Sequence, residues 1–290
     1  MSRTLSALVW LVWATLAIST ANAESVAPIA WQSDYGAAMD EARFSRKFLL
    51  VWFHNPQWSA EDAKFAAAVF EQPDIAERLA KSCIAIKLPV DAKSFASGEE
   101  ITLLKHGAFR ELLDLPGVAM IDLRDKASPH FGRVVSIFPF QERYITREQL
   151  RVMLDLPTGT LTQRTLIWAV RTHPERPASA STDLHEVLET ETQKHSIHQA
   201  SITLQGHHNW GSRFHSINSR LPDGLVSQEV CAESWPGQNL VEAAEECVHS
   251  WRQSSGHWDA VSRQHVYFSY DMQLGTNGVW YATGIFAQRH

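Results

Sequence analysis

Phe48-Leu49-Leu50-Val51-Trp52-Phe53 is an unbroken apolar run, and it restricts the fold more than any other segment. A strand apolar on both faces must be covered on both, so it belongs inside a layered sheet with helices packed on either side. The flanking segments supply those helices. Tyr35, Ala38, Met39 and Ala42 recur at helical spacing before the run. After it, Ser59-Ala60-Glu61-Asp62 predicts a helix start, with the Ser59 side chain as cap and Ala63, Ala66, Ala67 and Phe70 on one face. A short helix over 75–80, a strand over 84–88 and a helical piece over 101–109 follow. Strands over 118–123 and 133–138, joined by a turn at 124–126, and a helix over 147–154 close the unit. The fold class this predicts for 24–170 is α/β.

Composition changes at 171–182, where Pro174 and Pro177 stand among Ser, Thr and Ala with no large apolar residue; the expectation is a linker. The remaining segment, 183–290, reads as a smaller α+β domain. Helical stretches over 184–188 and 197–204 are interrupted near Glu191 to His195, which leaves open whether they join. Asn239, with Glu242 three residues on, predicts a capped helix to about Arg252. Val266, Phe268, Tyr270, Met272 and Leu274 alternate with polar residues, and Asn277-Gly278 then turns the chain into a returning strand over 279–286.

The first 23 residues have the form of a secretory signal peptide: Arg3, an apolar run from Leu5 to Ile18, then Ala21-Asn22-Ala23, with cleavage expected before Glu24. The run is short for a bilayer span and no later stretch is long and apolar enough, so the mature chain is expected to be exported, secreted or periplasmic, without a transmembrane segment. A net charge of -6 with no basic block argues against nucleic acid as a partner. Three cysteines in an exported chain allow one disulfide; Cys231 and Cys247 are the expected pair, and three buried thiols the alternative.

From Trp31 to Leu154 the element order resembles the thioredoxin fold. The strand 48–53 followed by Trp58 and a helix start, and Leu115-Pro116 just before a strand, carry the resemblance. It implies a cis peptide at Pro116. Where that family keeps C-x-x-C, this chain has Ser59 and Asp62. A low-pKa thiolate at a helix N-terminus is what performs disulfide exchange, so a disulfide oxidoreductase is excluded.

From His207 onward the chain resembles a shortened bacterial member of the CAP superfamily (cysteine-rich secretory proteins, antigen 5 and pathogenesis-related proteins). Gly206-His207-His208-Asn209-Trp210, Ala232-Glu233-Ser234, Trp251-Arg252-Gln253-Ser254-Ser255-Gly256-His257 and Gly278-Val279-Trp280-Tyr281 carry it. The resemblance implies a cleft lined by His207 or His208, Glu233 and His257, with Glu229 as a substitute acid if its stretch is helical. His208, Glu233 and His257 are the implied ligands of a divalent cation such as zinc. Ser234 and Ser255 depart from the family pattern. The expected function is a two-domain binding protein, a redox-inactive scaffold plus a cleft for a lipid, sterol, wall fragment or cation, with a small ligand or an extracellular protein as partner. A metal-assisted hydrolase and a structural or chaperone-like protein are the competing readings. No nucleophile with a recognisable base and no phosphate-binding loop is legible, so no residue is assigned as catalytic.

Overall fold

The computed structural model describes residues 29–289 apart from residue 97. The expected signal peptide and its cleavage point lie outside the described residues. The chain begins with α1 (Tyr35–Ser45), β1 (Phe48–His54), α2 (Ser59–Ala68), α3 (Pro73–Ser82) and β2 (Cys83–Pro89). A small hairpin of β3 (Lys93–Ala96) and β4 (Glu99–Thr102) precedes β5 (Gly117–Asp122), β6 (Val134–Pro139) and α4 (Arg147–Leu154). The first sheet has the order β2-β1-β5-β6. β1 runs parallel to β2 and antiparallel to β5, so the apolar run is buried along its whole length, as its two apolar faces require. Gly117 permits the tight pairing of β5 with β6, since a Cβ there would stand 2.5 Å from the Phe138 carbonyl.

A helix absent from the sequence expectation joins the two halves. α5 (Leu161–Thr172) is capped by a reciprocal Thr160–Gln163 box, and every residue from Gln163 to Val170 is buried. One side packs on β6 and the other on the rear half. Arg164, 1% exposed, donates to the carbonyls of Val135, Met153, Leu156 and Pro157 and to Ser136 Oγ. The guanidinium thereby ties α5 to β6 and to the end of α4.

The rear half comprises β7 (Asp183–Leu184), α6 (Glu186–Ile202), α7 (Trp210–Asn218), β8 (Leu225–Glu233), α8 (Leu240–Gln253), α9 (Ser255–Ser262), β9 (Tyr267–Leu274) and β10 (Trp280–Arg289). Its sheet has the order β7-β9-β10-β8. α8 carries the Asn239–Glu242 capping box that its sequence predicts. The architecture is mixed α/β with several sheets, and one apolar core runs from Phe48 through α5 to Phe286. No helix among the described residues is long and apolar enough to cross a membrane.

Several expectations are corrected. Residues 171–182 are not a free linker: Ser179 and Ala180 are buried, Ser179 Oγ lies 2.7 Å from the Tyr270 hydroxyl, and the Ala178 and Ser179 amides donate to Ser262 and Val261. Composition reports the lack of apolar anchors there, but not that neighbouring backbone satisfies the segment. Pro116 is trans, because no peptide bond among the described residues is cis; Leu113 and Asp114, both left-handed, turn the chain into β5 instead. Ser59 is not a cap. The cap position is Trp58, with no side-chain hydrogen bond, and Ser59 begins the helix itself. All three cysteines are free and buried. Cys231 lies on the face of β8 turned towards α6, while Cys247 on α8 packs with Val230 and Ala232 against the opposite face, so the sheet separates them.

Arg164→Ala strips the donor from four carbonyls and is expected to lower unfolding stability by about 3–5 kcal/mol, read from the urea midpoint at unchanged m. Burial pushes the Cys83 thiol up to about 11 and raises Cys231 and Cys247 as well. Ellman titration without reductant should therefore register three thiols in guanidinium and almost none in native buffer.

Candidate functional site

Alternation along β8 places Val230 and Ala232 in the main core and Ser227, Glu229 and Cys231 on the α6 face. The Glu229 side chain has no exposed surface and collects partners from three elements. Arg213 of α7 lies 2.6 Å from its Oε2, His207 Nδ1 of the α6–α7 loop 3.1 Å from Oε1, and His195 Nε2 of α6 3.7 Å from Oε1. The Arg213 contact is poorly aligned for a hydrogen bond and acts chiefly through charge. Burial drives the carboxyl up, but the bond from His207, the charge of Arg213 and the proximity of His195 outweigh it and hold Glu229 below its ordinary 4.5. Glu229 is an anion at neutral pH. Burial pushes His195 down to about 4 against the pull of Glu229, so that imidazole is neutral and donates from Nε2 to the Gly206 carbonyl at 2.9 Å.

His207 carries this buried charge to the surface. Its Nδ1–H points at the carboxylate, which leaves the Nε2 lone pair directed outwards, 3.4 Å from His257 Nε2. β8 is the edge strand, so His257 of α9 and His207 of the α6–α7 loop meet across its margin. Burial, then His207, lowers the His257 pKa and keeps that ring neutral as well. Two imidazoles on a tetrahedral zinc, at about 2.0–2.1 Å each, place their nitrogens about 3.3–3.4 Å apart. The observed separation matches.

Of the residues expected to line a cleft, His207, His257 and Glu229 come together. His208 turns away: its Nε2 donates to the Leu204 carbonyl at 3.2 Å and its ring packs beside His198 and His195. Glu229 and Glu233 are not a helical turn apart, because the stretch is a strand; they share a face about 13 Å apart. Glu233 is exposed at the strand end, two residues past Cys231, and its side chain makes no ion pair or hydrogen bond among the described residues. The trio His208, Glu233 and His257 is therefore not assembled as a ligand set. His195 and Arg213 escape the sequence reading. The polar interruption of α6 at Glu191 to His195 marks the first, since a buried helical face that turns polar needs partners; nothing local marks Arg213.

His195, Glu229 and Cys231 offer ligand atoms within 4.8 Å of one another. Their chemistry disfavours a cation. The His195 nitrogen already carries a donated proton, Cys231 is held as a thiol by burial and by Glu229, and Arg213 neutralises the carboxylate. A groove of about 1390 Å3, lined in part by Glu111, His130, Glu186, Glu189 and Gln193, lies apart from these histidines.

No protein-family model and no curated protein matches the chain. Among solved structures, an outer surface protein from Borrelia burgdorferi is similar at 16% identity over 38% of this chain and 78% of that one, with a TM-score of 0.31.

Glu229→Gln leaves Arg213 buried without a counter-charge and is expected to cost about 3–5 kcal/mol, with Arg213→Met recovering part of the loss in the double variant; thermal or urea unfolding of the four-member cycle measures the coupling. Acid should weaken the fold from two sides. His195 is lowered from 6.5 to about 4, so the unfolded chain binds the extra proton between those values and stability falls as pH drops through that window. The depressed Glu229 contributes fully above about pH 4.5 and is lost as pH falls through its folded value. His195→Gln should flatten the slope between pH 6.5 and 4 while leaving the lower limb.

Proposed function

We propose that this chain is an exported binding protein whose cleft at the β8 margin takes a divalent cation, with zinc the best fit. The carrying observation is the 3.4 Å approach of the His207 and His257 Nε2 atoms, with Glu229 on the far nitrogen of His207. A carboxylate hydrogen-bonded to Nδ1 fixes the tautomer that leaves Nε2 as a ligand and raises its basicity. A bound cation would supply Lewis acidity at the cleft; His207 and His257 would hold it and Glu229 would orient the first of them. The CAP-like reading of 183–290 rests on this pairing of the Gly206-following histidine with the W-x-x-S-x-G-H histidine, His257.

The thioredoxin-like reading of the front half is supported by the strand order β2-β1-β5-β6, with a parallel first pair and antiparallel later strands. Ser59 and Asp62 occupy the dithiol positions, and Cys83 is a buried thiol on β2. That half serves as a redox-inactive scaffold. A second reading, metal-assisted hydrolysis, draws on Glu233, an uncommitted exposed acid on the cleft face of β8 that could serve as general base.

Protein purified without chelator should carry about one equivalent of zinc per chain by elemental analysis. His257→Ala should weaken zinc roughly 100-fold and Glu229→Gln about 10–100-fold in competition with a chromophoric chelator. Affinity should fall as pH drops below 6.5 through the lowered His257 pKa, because a protonated imidazole cannot ligate the ion. Zinc affinity unchanged by both His207→Ala and His257→Ala would overturn the cation reading.

A further inference from the structure

The front half contains a second group of titratable side chains, at the carboxyl end of β1 and the start of α2. In sheets with parallel strands this is where crevices open and ligands bind. Asp62, in the first turns of α2, is only 2% exposed. Its Oδ1 accepts from the Tyr144 hydroxyl at 3.3 Å; its Oδ2 has no hydrogen-bond partner and faces His54 Nδ1 at 3.5 Å. Phe65 and Tyr144, stacked with ring centres 4.8 Å apart, are its aromatic surroundings. A carboxyl buried there with one oxygen uncommitted carries a desolvation penalty that an apolar residue would avoid. The cost points to a task.

We infer that His54 and Asp62 form a base and its orienting acid, which hydrolyse small acyl esters with water as the nucleophile. Asp62 Oδ2, facing Nδ1 at 3.5 Å without a formed hydrogen bond, favours by its charge the tautomer that carries the proton on Nδ1 and the lone pair on Nε2, and Nε2 has no partner among the described residues. The imidazole is 21% exposed and so open to water. Burial, then Lys87, lowers the His54 pKa against Asp62 and Asp91, which leaves the ring free to accept a proton at neutral pH. Burial raises Asp62 against Lys87, His54 and the Tyr144 bond, with Glu61 adding to the rise. Burial and Asp62 push the Tyr144 phenol up to about 12, so it stays a proton donor and holds the carboxyl in place. The start of α2 has no side-chain cap, and a 3-10 turn over Pro56–Trp58 runs directly into it; the amides that this turn leaves unpaired in the first helical turn are the ones offered to an oxyanion.

In the step, His54 Nε2 takes a proton from water as the water oxygen bonds to the ester carbonyl carbon. The oxyanion of the tetrahedral intermediate accepts from the first-turn amides. The bond from carbon to the alcohol oxygen then breaks, the proton passes from His54 to the departing alkoxide, and the acid and alcohol leave. No oxidant, reductant or metal enters the balance.

p-Nitrophenyl acetate tests the inference on the full-length protein. Release of nitrophenolate above buffer is expected, with kcat/KM rising through a single ionisation below 6.5. His54→Gln should lower kcat/KM by about 100-fold or more at an unchanged melting temperature. Tyr144→Phe, which removes only the bond to Asp62, should shift the pH profile. EDTA should leave turnover intact, and intact mass after diisopropyl fluorophosphate should be unchanged. Turnover indistinguishable from buffer, or equal in wild type and His54→Gln, overturns the inference. Loss of activity in EDTA would instead assign the reaction to the cation cleft, and a phosphoryl adduct on Ser59 would replace water as nucleophile; each overturns it while leaving the zinc reading to its own measurement.

Discussion

The buried Glu229 carboxylate is the interaction on which the rear half depends. A carboxylate at zero exposure is tolerated only when charge and hydrogen bonds replace its lost hydration, and here the replacement comes from elements scattered along the chain. Arg213 arrives on α7, His195 on α6 and His207 on the loop between them. Meeting one pair of oxygens fixes the positions of all three against β8. The same bond that helps hold the loop sets the His207 tautomer, so fold and candidate chemistry share one cause.

The face of the sheet that meets α6 is correspondingly polar. Thr192 bonds the Leu188 carbonyl, Ser196 bonds Asp271, and Gln199 bonds Thr283 while accepting from the Gly206 amide. Asp271, fully buried on β9, is also reached by Thr162 from the start of α5. The bonds of Ser196 to Asp271 and of Gln199 to Thr283 register α6 against β9 and β10 more narrowly than apolar packing does, because each has a directional partner. The opposite face is ordinary apolar core, where α5 and α8 meet Phe268, Tyr270, Met272 and Phe286.

Elements with an apolar period were legible. β1 announces itself by six buried residues in succession, α8 by its cap and stripe, and the β9–β10 hairpin by alternation around Asn277-Gly278. Whether the stretches now forming α6 join is not legible in the sequence, because the buried face, Glu191, Thr192, His195, Ser196 and Gln199, is polar. α5 went unseen for a related reason: Gln163, Arg164 and Thr165 look like solvated positions until carbonyls 7 to 29 residues away are found to receive the guanidinium. Residues 171–182 looked unattached because their anchoring uses backbone amides, which no composition reports.

The resemblance to the CAP superfamily nominated His207, His208, Glu229, Glu233 and His257, and the absence of any C-x-x-C was plain from the letters alone, since dithiol exchange needs two neighbouring cysteines. Which imidazole faces His257, which acid lies beneath it, and that His54 and Tyr144 close on Asp62 were decided only by tertiary structure. Periodicity is a local property and survives in one dimension. Convergence of side chains as far as 82 positions apart depends on strand register and on which face of a sheet each residue takes, and those are settled only when the layers pack.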